Sequence, residues 1–117
     1  LQIHIPIKVN AKYGLNSLYS GGHWSKRNKL ADEVHKIVTL ALKMQHIPKW
    51  PFNVPVGITI YYDSRLDIDN HGYLSKLLID PLKGWVIVDD NRKYVKYLHQ
   101  DFYVGDGVTM EIKEITA

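Results

Sequence analysis

Apolar and polar residues alternate along residues 1–9, with Ile3, Ile5, Ile7 and Val9 on one side of the pattern. That period of two predicts a half-buried strand, and Pro6, lacking a backbone N–H, predicts an edge position or a bulge. Residues 10–23 show no period and carry Asn10, Gly14, Asn16, Ser17, Ser20, Gly21 and Gly22, the composition of a long loop. Lys12, Tyr13, Tyr19 and His23 make this loop basic and aromatic. Loops of such length in small domains are more often functional or mobile than idle. Ser25 is the expected N-cap of a first helix, in which Leu30, Val34, Ile37, Val38, Ala41 and Met44 form one stripe. Pro48, Pro51 and Pro55 mark a connector.

The run Val56-Gly57-Ile58-Thr59-Ile60-Tyr61-Tyr62 predicts a substantially buried strand. A second helix is expected from Gly72 to Ile79, with Leu74, Leu77 and Leu78 facing inward. Pro81 ends that helix, or restarts it with Asp80 as a cap, and Gly84 marks its finish. Residues 94–104 and 107–115 read as two strands, and Gly105-Asp106-Gly107 between them predicts a hairpin. The resulting order, β-α-β-α-β-β, predicts an α+β fold: a mixed sheet of about four strands with two helices packed on it. Residues 1–117 are expected to form a single domain.

Composition narrows the chemistry. At 117 residues the chain can bury roughly two-thirds of its unfolded surface without staples. It has no cysteine, which excludes disulfides and thiolate ligands. No apolar run approaches the roughly 20 residues of a membrane span, and no secretory signal is visible, so a cytoplasmic location without membrane contact is expected. Net charge is +3, but unevenly spread. Residues 1–62 hold eight Lys/Arg against two Asp/Glu (+6), and residues 63–117 hold seven against ten (−3). A basic half beside an acidic one suits a polyanion held by one surface and processed at another, although a small domain can be this lopsided without function. Lys29, Lys36 and Lys43 recur every seven residues on one helix face, equally compatible with a solvated face and with a phosphate-tracking stripe.

Asp67, Asp69 and Asp90 are the residues that suggest chemistry. Two aspartates two apart on an extended segment share a face, and like charges there call for a cation. Mg²⁺ binds through few protein carboxylates and keeps several waters. It can supply a nucleophilic water, phosphate neutralisation and leaving-group stabilisation for phosphodiester hydrolysis. Asp90 joins this set if the helix folds the chain back by its own length; Asp89 is its adjacent competitor. Lys76, on the helix between the carboxylates, could neutralise the scissile phosphate, against the commoner reading of a solvated helix lysine. His71 follows Asp69 by two residues and reads either as a metal-contacting or outer group or, more commonly, as a polar loop residue. The glycine and glutamate of an EF-hand, a phosphate-binding glycine loop, a Gly-x-Ser-x-Gly elbow and zinc spacing are all missing. An Asp-x-Asp enzyme acting on a nucleotide is disfavoured by chain length. Clustering in the loop, at the helix start and beside Asp90 makes Lys12, Lys26, Arg27, Lys29 and Arg92 candidate phosphate contacts.

Within residues 65–90 the chain reads Arg65-Leu66-Asp67-Ile68-Asp69-Asn70, Leu74-Ser75-Lys76, Asp80-Pro81-Leu82, Gly84-Trp85 and Val88-Asp89-Asp90. This block resembles the RusA family of Holliday-junction endonucleases, and the flanking elements agree in order. The resemblance implies that Asp67, Asp69 and Asp90 bind Mg²⁺ (Mn²⁺ as a substitute), that Lys76 is the catalytic lysine and that Arg65 contacts DNA. It further implies a homodimer that nicks opposed strands of a four-way junction in a bacterial or phage-infected cell. Symmetric cutting of a two-fold junction needs two related sites. The alternative is a junction-binding relative that has lost cleavage. The family pattern runs directly from Asn to Leu, whereas His71-Gly72-Tyr73 intervene here. Lys76 holds the lysine's place if these three are an insertion; Tyr73 holds it if the helix begins at Asn70.

Overall fold

The computed structural model describes residues 1–10 and 24–115. Its elements are β1 (Gln2–Ile5), α1 (Trp24–Met44), β2 (Val56–Tyr62), α2 (Gly72–Ile79), β3 (Val95–Phe102) and β4 (Val108–Glu114). They form a mixed four-stranded sheet in the order β1-β4-β2-β3, with the two helices against it: an α+β fold.

Strand β2 is central because both its neighbours are strands and its inward side chains are wholly apolar or aromatic. Val56, Ile58, Ile60 and Tyr62 are fully buried. They meet Val108, Met110 and Ile112 of the antiparallel β4. On the far side of β4, Ile3 and Ile5 complete the row. Leu30, Val34, Val38 and Leu42 of α1 and Leu74, Leu77 and Leu78 of α2 close the core from one face. Burial of this kind stabilises by about 1.5–3 kcal/mol per large side chain. Pro6 ends β1, which is an edge strand as expected, while alternation continues through buried Ile7 and Val9.

Three expectations need correction. Strands β3 and β4 do not form a hairpin: β2 lies between them, parallel to β3 and antiparallel to β4. The segment after β3 crosses the end of β2, where Tyr103 N–H donates to the Tyr62 carbonyl at 2.9 Å. Met44, assigned to the helix stripe, is 70% exposed, and Leu42 takes the buried position at the end of α1. Helix α1 starts at Trp24, so Ser25 lies in its first turn and not before it. The lysines Lys29, Lys36 and Lys43 are exposed.

Tyr62 gives a pH dependence. Its hydroxyl donates to Gln100 Oε1 at 3.0 Å, and burial pushes the phenol's pKa upward. A free phenol ionises near pH 10, so above that value the unfolded chain releases a proton the folded chain keeps. Stability is therefore present below about pH 10 and is lost as pH rises toward the folded value. Urea unfolding of Tyr62→Phe at pH 7 and pH 11 should show a smaller loss between the two than the natural chain shows. An equal loss in both would contradict this role.

Candidate functional site

The parallel pairing of β2 with β3 cannot be made by a tight turn. Residues 63–94 supply the crossover, and every candidate catalytic residue lies on it. The strand ends at Tyr62, Ser64 Oγ accepts from Leu66 N–H at 3.0 Å, and a 3-10 turn follows at Ile68–His71. Asp67 precedes this turn in extended conformation, and its carbonyl accepts from Asn70 N–H at 2.9 Å. Asp69 lies inside the turn. The two aspartates are thus not on one extended segment, so strand alternation does not set their facing. Both are exposed.

His71 anchors this turn. The ring is fully buried, stacks on Tyr62 with centroids 4.1 Å apart and meets Phe102 edge-on at 5.7 Å. Its Nδ1 lies 3.1 Å from the Ile68 carbonyl, which requires Nδ1–H as donor. Neither a surface loop residue nor an open ligand describes it: it ties Asp67 and Asp69 to the end of β2 and β3. The helix starts at Gly72, so His71 closes the turn while Gly72 and Tyr73 are already helical. Tyr73 packs half-buried against the core, whereas Lys76 projects outward with 67% of its side chain exposed. Of the two, Lys76 is the more exposed.

Helix α2 then carries the chain back along the sheet. It ends at Ile79; Asp80, Pro81 and Leu82 form a second 3-10 turn, as Pro81 demanded. Gly84 adopts a left-handed φ of 76° and Val86 and Ile87 plug the core. At Asp89 the carboxylate is spent locally. Its Oδ1 accepts from Asp90 N–H at 2.8 Å and its Oδ2 from Asn91 Nδ2 at 3.1 Å. The hydrogen bond from the Asp90 backbone is the main reason its pKa falls below the usual carboxylate range. Asp90 instead faces Lys83, whose ammonium lies 3.4 Å from Asp90 Oδ2 and 3.4 Å from Asp80 Oδ1. Lys76 Nζ is 4.0 Å from Asp80 Oδ2. Desolvation pulls the Lys83 pKa down, but the Asp90 hydrogen bond and the charges of Asp80 and Asp90 outweigh it and raise the value. The spacing of Lys76, Asp80 and Lys83 (i, i+4 and i, i+3) was a sequence signal for this network.

The crossover therefore sorts the residues into two places. Asp67 and Asp69 lie where His71 meets Tyr62 and Phe102, at the C-terminal ends of β2 and β3. Asp80, Lys83, Asp90 and Lys76 form the second group; the chain after Asp90 enters β3 beside the start of β2, where Val56 N–H donates to the Tyr94 carbonyl at 2.8 Å. Strand rise separates the two ends of β2 by roughly 20 Å. Among the described residues no three His, Asp or Glu side chains are grouped to hold one metal ion.

Lys29, Arg65 and Arg92 are exposed, and Arg27 is half-buried. Lys12 lies outside the described residues, as does the Lys26 side chain. Arg65 lines, with Lys8, Asp63 and Asp106, a cleft of about 750 Å³ beside the Asp67 turn. No helix among the described residues is long and apolar enough to cross a membrane. Comparison with protein-family models and with curated proteins gave no match.

Proposed function

We propose that this chain is a Mg²⁺-dependent, structure-selective endonuclease of the RusA kind, acting as a homodimer on four-way branched DNA. The observation that carries the reading is the division of labour at Asp89 and Asp90: the first is consumed by its own turn, the second presents its carboxylate toward Lys83. Asp67, Asp69 and Asp90 offer hard oxygen donors, exposed enough for an ion to keep its waters, and Mg²⁺ commonly takes only one or two protein carboxylates. Bound there, the ion would activate water and stabilise the leaving oxygen. Lys76, exposed on α2, neutralises charge on the scissile phosphate. Lys29, Arg65 and Arg92 hold the flanking phosphates.

A two-fold junction calls for two copies of the chain. Edge strand β3 supports such pairing: Leu98 and Phe102 are 39% and 45% exposed, and Val104, just beyond, is 98% exposed. The separation of the carboxylates within one chain favours the second reading, a relative that binds junctions without cutting them. A synthetic four-way junction distinguishes the two. Symmetric nicks in Mg²⁺, abolished by chelation, are expected. Salt-sensitive binding with an intact junction in both Mg²⁺ and Mn²⁺ would replace the enzyme reading with the binding one.

A further inference from the structure

Asp80 has no role in the carboxylate set above, yet it is the residue on which the second group converges. One carboxylate oxygen faces Lys76 at 4.0 Å and the other faces Lys83 at 3.4 Å, and Lys83 passes the contact to Asp90 at 3.4 Å. The oxygen toward Lys83 is enclosed, so its charge is not relieved by solvent, and 3.4 Å is longer than a good N–H···O hydrogen bond. An enclosed carboxylate oxygen in that condition needs its cation close. Helical geometry fixes the arrangement, because Asp80 lies one turn after Lys76 and Pro81 locks the turn that brings Lys83 round.

We propose that Asp80 is a positioning residue for the nuclease site, an inference that rests on the function proposed above. It holds Lys76 on the side of the crossover that carries Asp90, and through Lys83 it fixes the direction of the Asp90 carboxylate. Without Asp80, Lys76 becomes an unrestrained surface lysine, and Lys83 is left to pair with Asp90 alone.

The test uses full-length Asp80→Asn, Asp80→Glu and Lys83→Met. Nicking of the junction in Mg²⁺ should fall about 10–100-fold in kcat for Asp80→Asn, with KM within twofold, the size usual for residues that orient metal-site groups. Asp80→Glu, which restores the charge, should regain most of that loss. Lys83→Met combined with Asp80→Asn should lose little more than Asp80→Asn alone, since Lys83 carries one of the two connections that Asp80 makes. Asp80→Asn nicking like the natural chain, or losing activity only in proportion to its unfolded fraction, overturns the inference. Should the natural chain not nick at all, the proposed function falls, and the ¹³C resonance of the Asp90 carboxylate decides the rest. A shift in Asp80→Asn sustains the positioning, and an unmoved resonance overturns it.

Discussion

Asp90→Asn should lower junction nicking about a thousandfold, while Asp89→Asn leaves it within a few-fold of the natural chain. A metal-facing carboxylate contributes several kcal/mol to stabilising developing charge, and each 1.36 kcal/mol is about tenfold in rate. Asparagine at position 90 removes the negative charge without changing shape. Lys83 keeps Asp80 as a partner, so folding should survive and the thermal midpoint should move by only a few degrees. Asparagine at 89 retains an oxygen for the Asp90 N–H and gives up only the exposed acceptor for Asn91 Nδ2, while the Asn91 oxygen keeps its bond from Lys93 N–H. Single-turnover nicking with both variants, alongside thermal unfolding, measures the contrast. A greater loss from Asp89→Asn than from Asp90→Asn would reverse the assignment of the two aspartates.

How far the site could be read from the sequence differs residue by residue. Strand β2 and helix α2 were legible to their ends, because Pro55 and Asp63 bound a continuous apolar run and the leucines of α2 repeat at helical spacing. Exposure of Lys76 follows from the same spacing. The facing of Asp67 and Asp69 was not legible, since it presumed that extended backbone continues past Tyr62. Ser64 and the buried His71 ring instead fold that segment into a tight turn. His71 shows the reason: a histidine between two polar residues and a glycine carries no local sign that a tyrosine from one strand and a phenylalanine from another will enclose it. Strand pairing escaped for a related reason. Gly105-Asp106-Gly107 does reverse the chain, but a reversal does not say whether the two strands are neighbours. That choice was made by β2, whose inward face is apolar along its whole length and is best covered by a strand on each side.

The same misread turn gives the largest expected effect on stability. Gly107→Ala should destabilise the fold by about 2–4 kcal/mol, a fall of roughly 10 °C in Tm, whereas Gly57→Ala should cost less than about 1 kcal/mol. Both glycines lie against neighbours that a Cβ would strike, and the neighbours differ in what they can yield. At Gly57 the obstacle is the Tyr97 ring, a half-exposed side chain on an edge strand that can swing aside, giving up its 4.2 Å stack on His99. Alanine also suits a strand better than glycine, offsetting part of the loss. At Gly107 the obstacle is backbone: the Ile5 carbonyl, with Pro6 Cα at 3.2 Å and Ile7 N at 3.3 Å. That carbonyl accepts from Ile7 N–H at 2.8 Å where β1 ends, and Pro6 stiffens the segment, so it cannot move without disturbing the edge of the sheet. Gly107 also has φ of 81°, which costs an L-residue about 1–2 kcal/mol by itself. Gly107→Asn separates the two contributions, because asparagine tolerates left-handed backbone but still carries a Cβ. It should prove nearly as damaging as alanine in urea unfolding. Recovery to near the natural chain's stability in Gly107→Asn would show that backbone conformation, and not the approach of β1, sets the requirement for glycine.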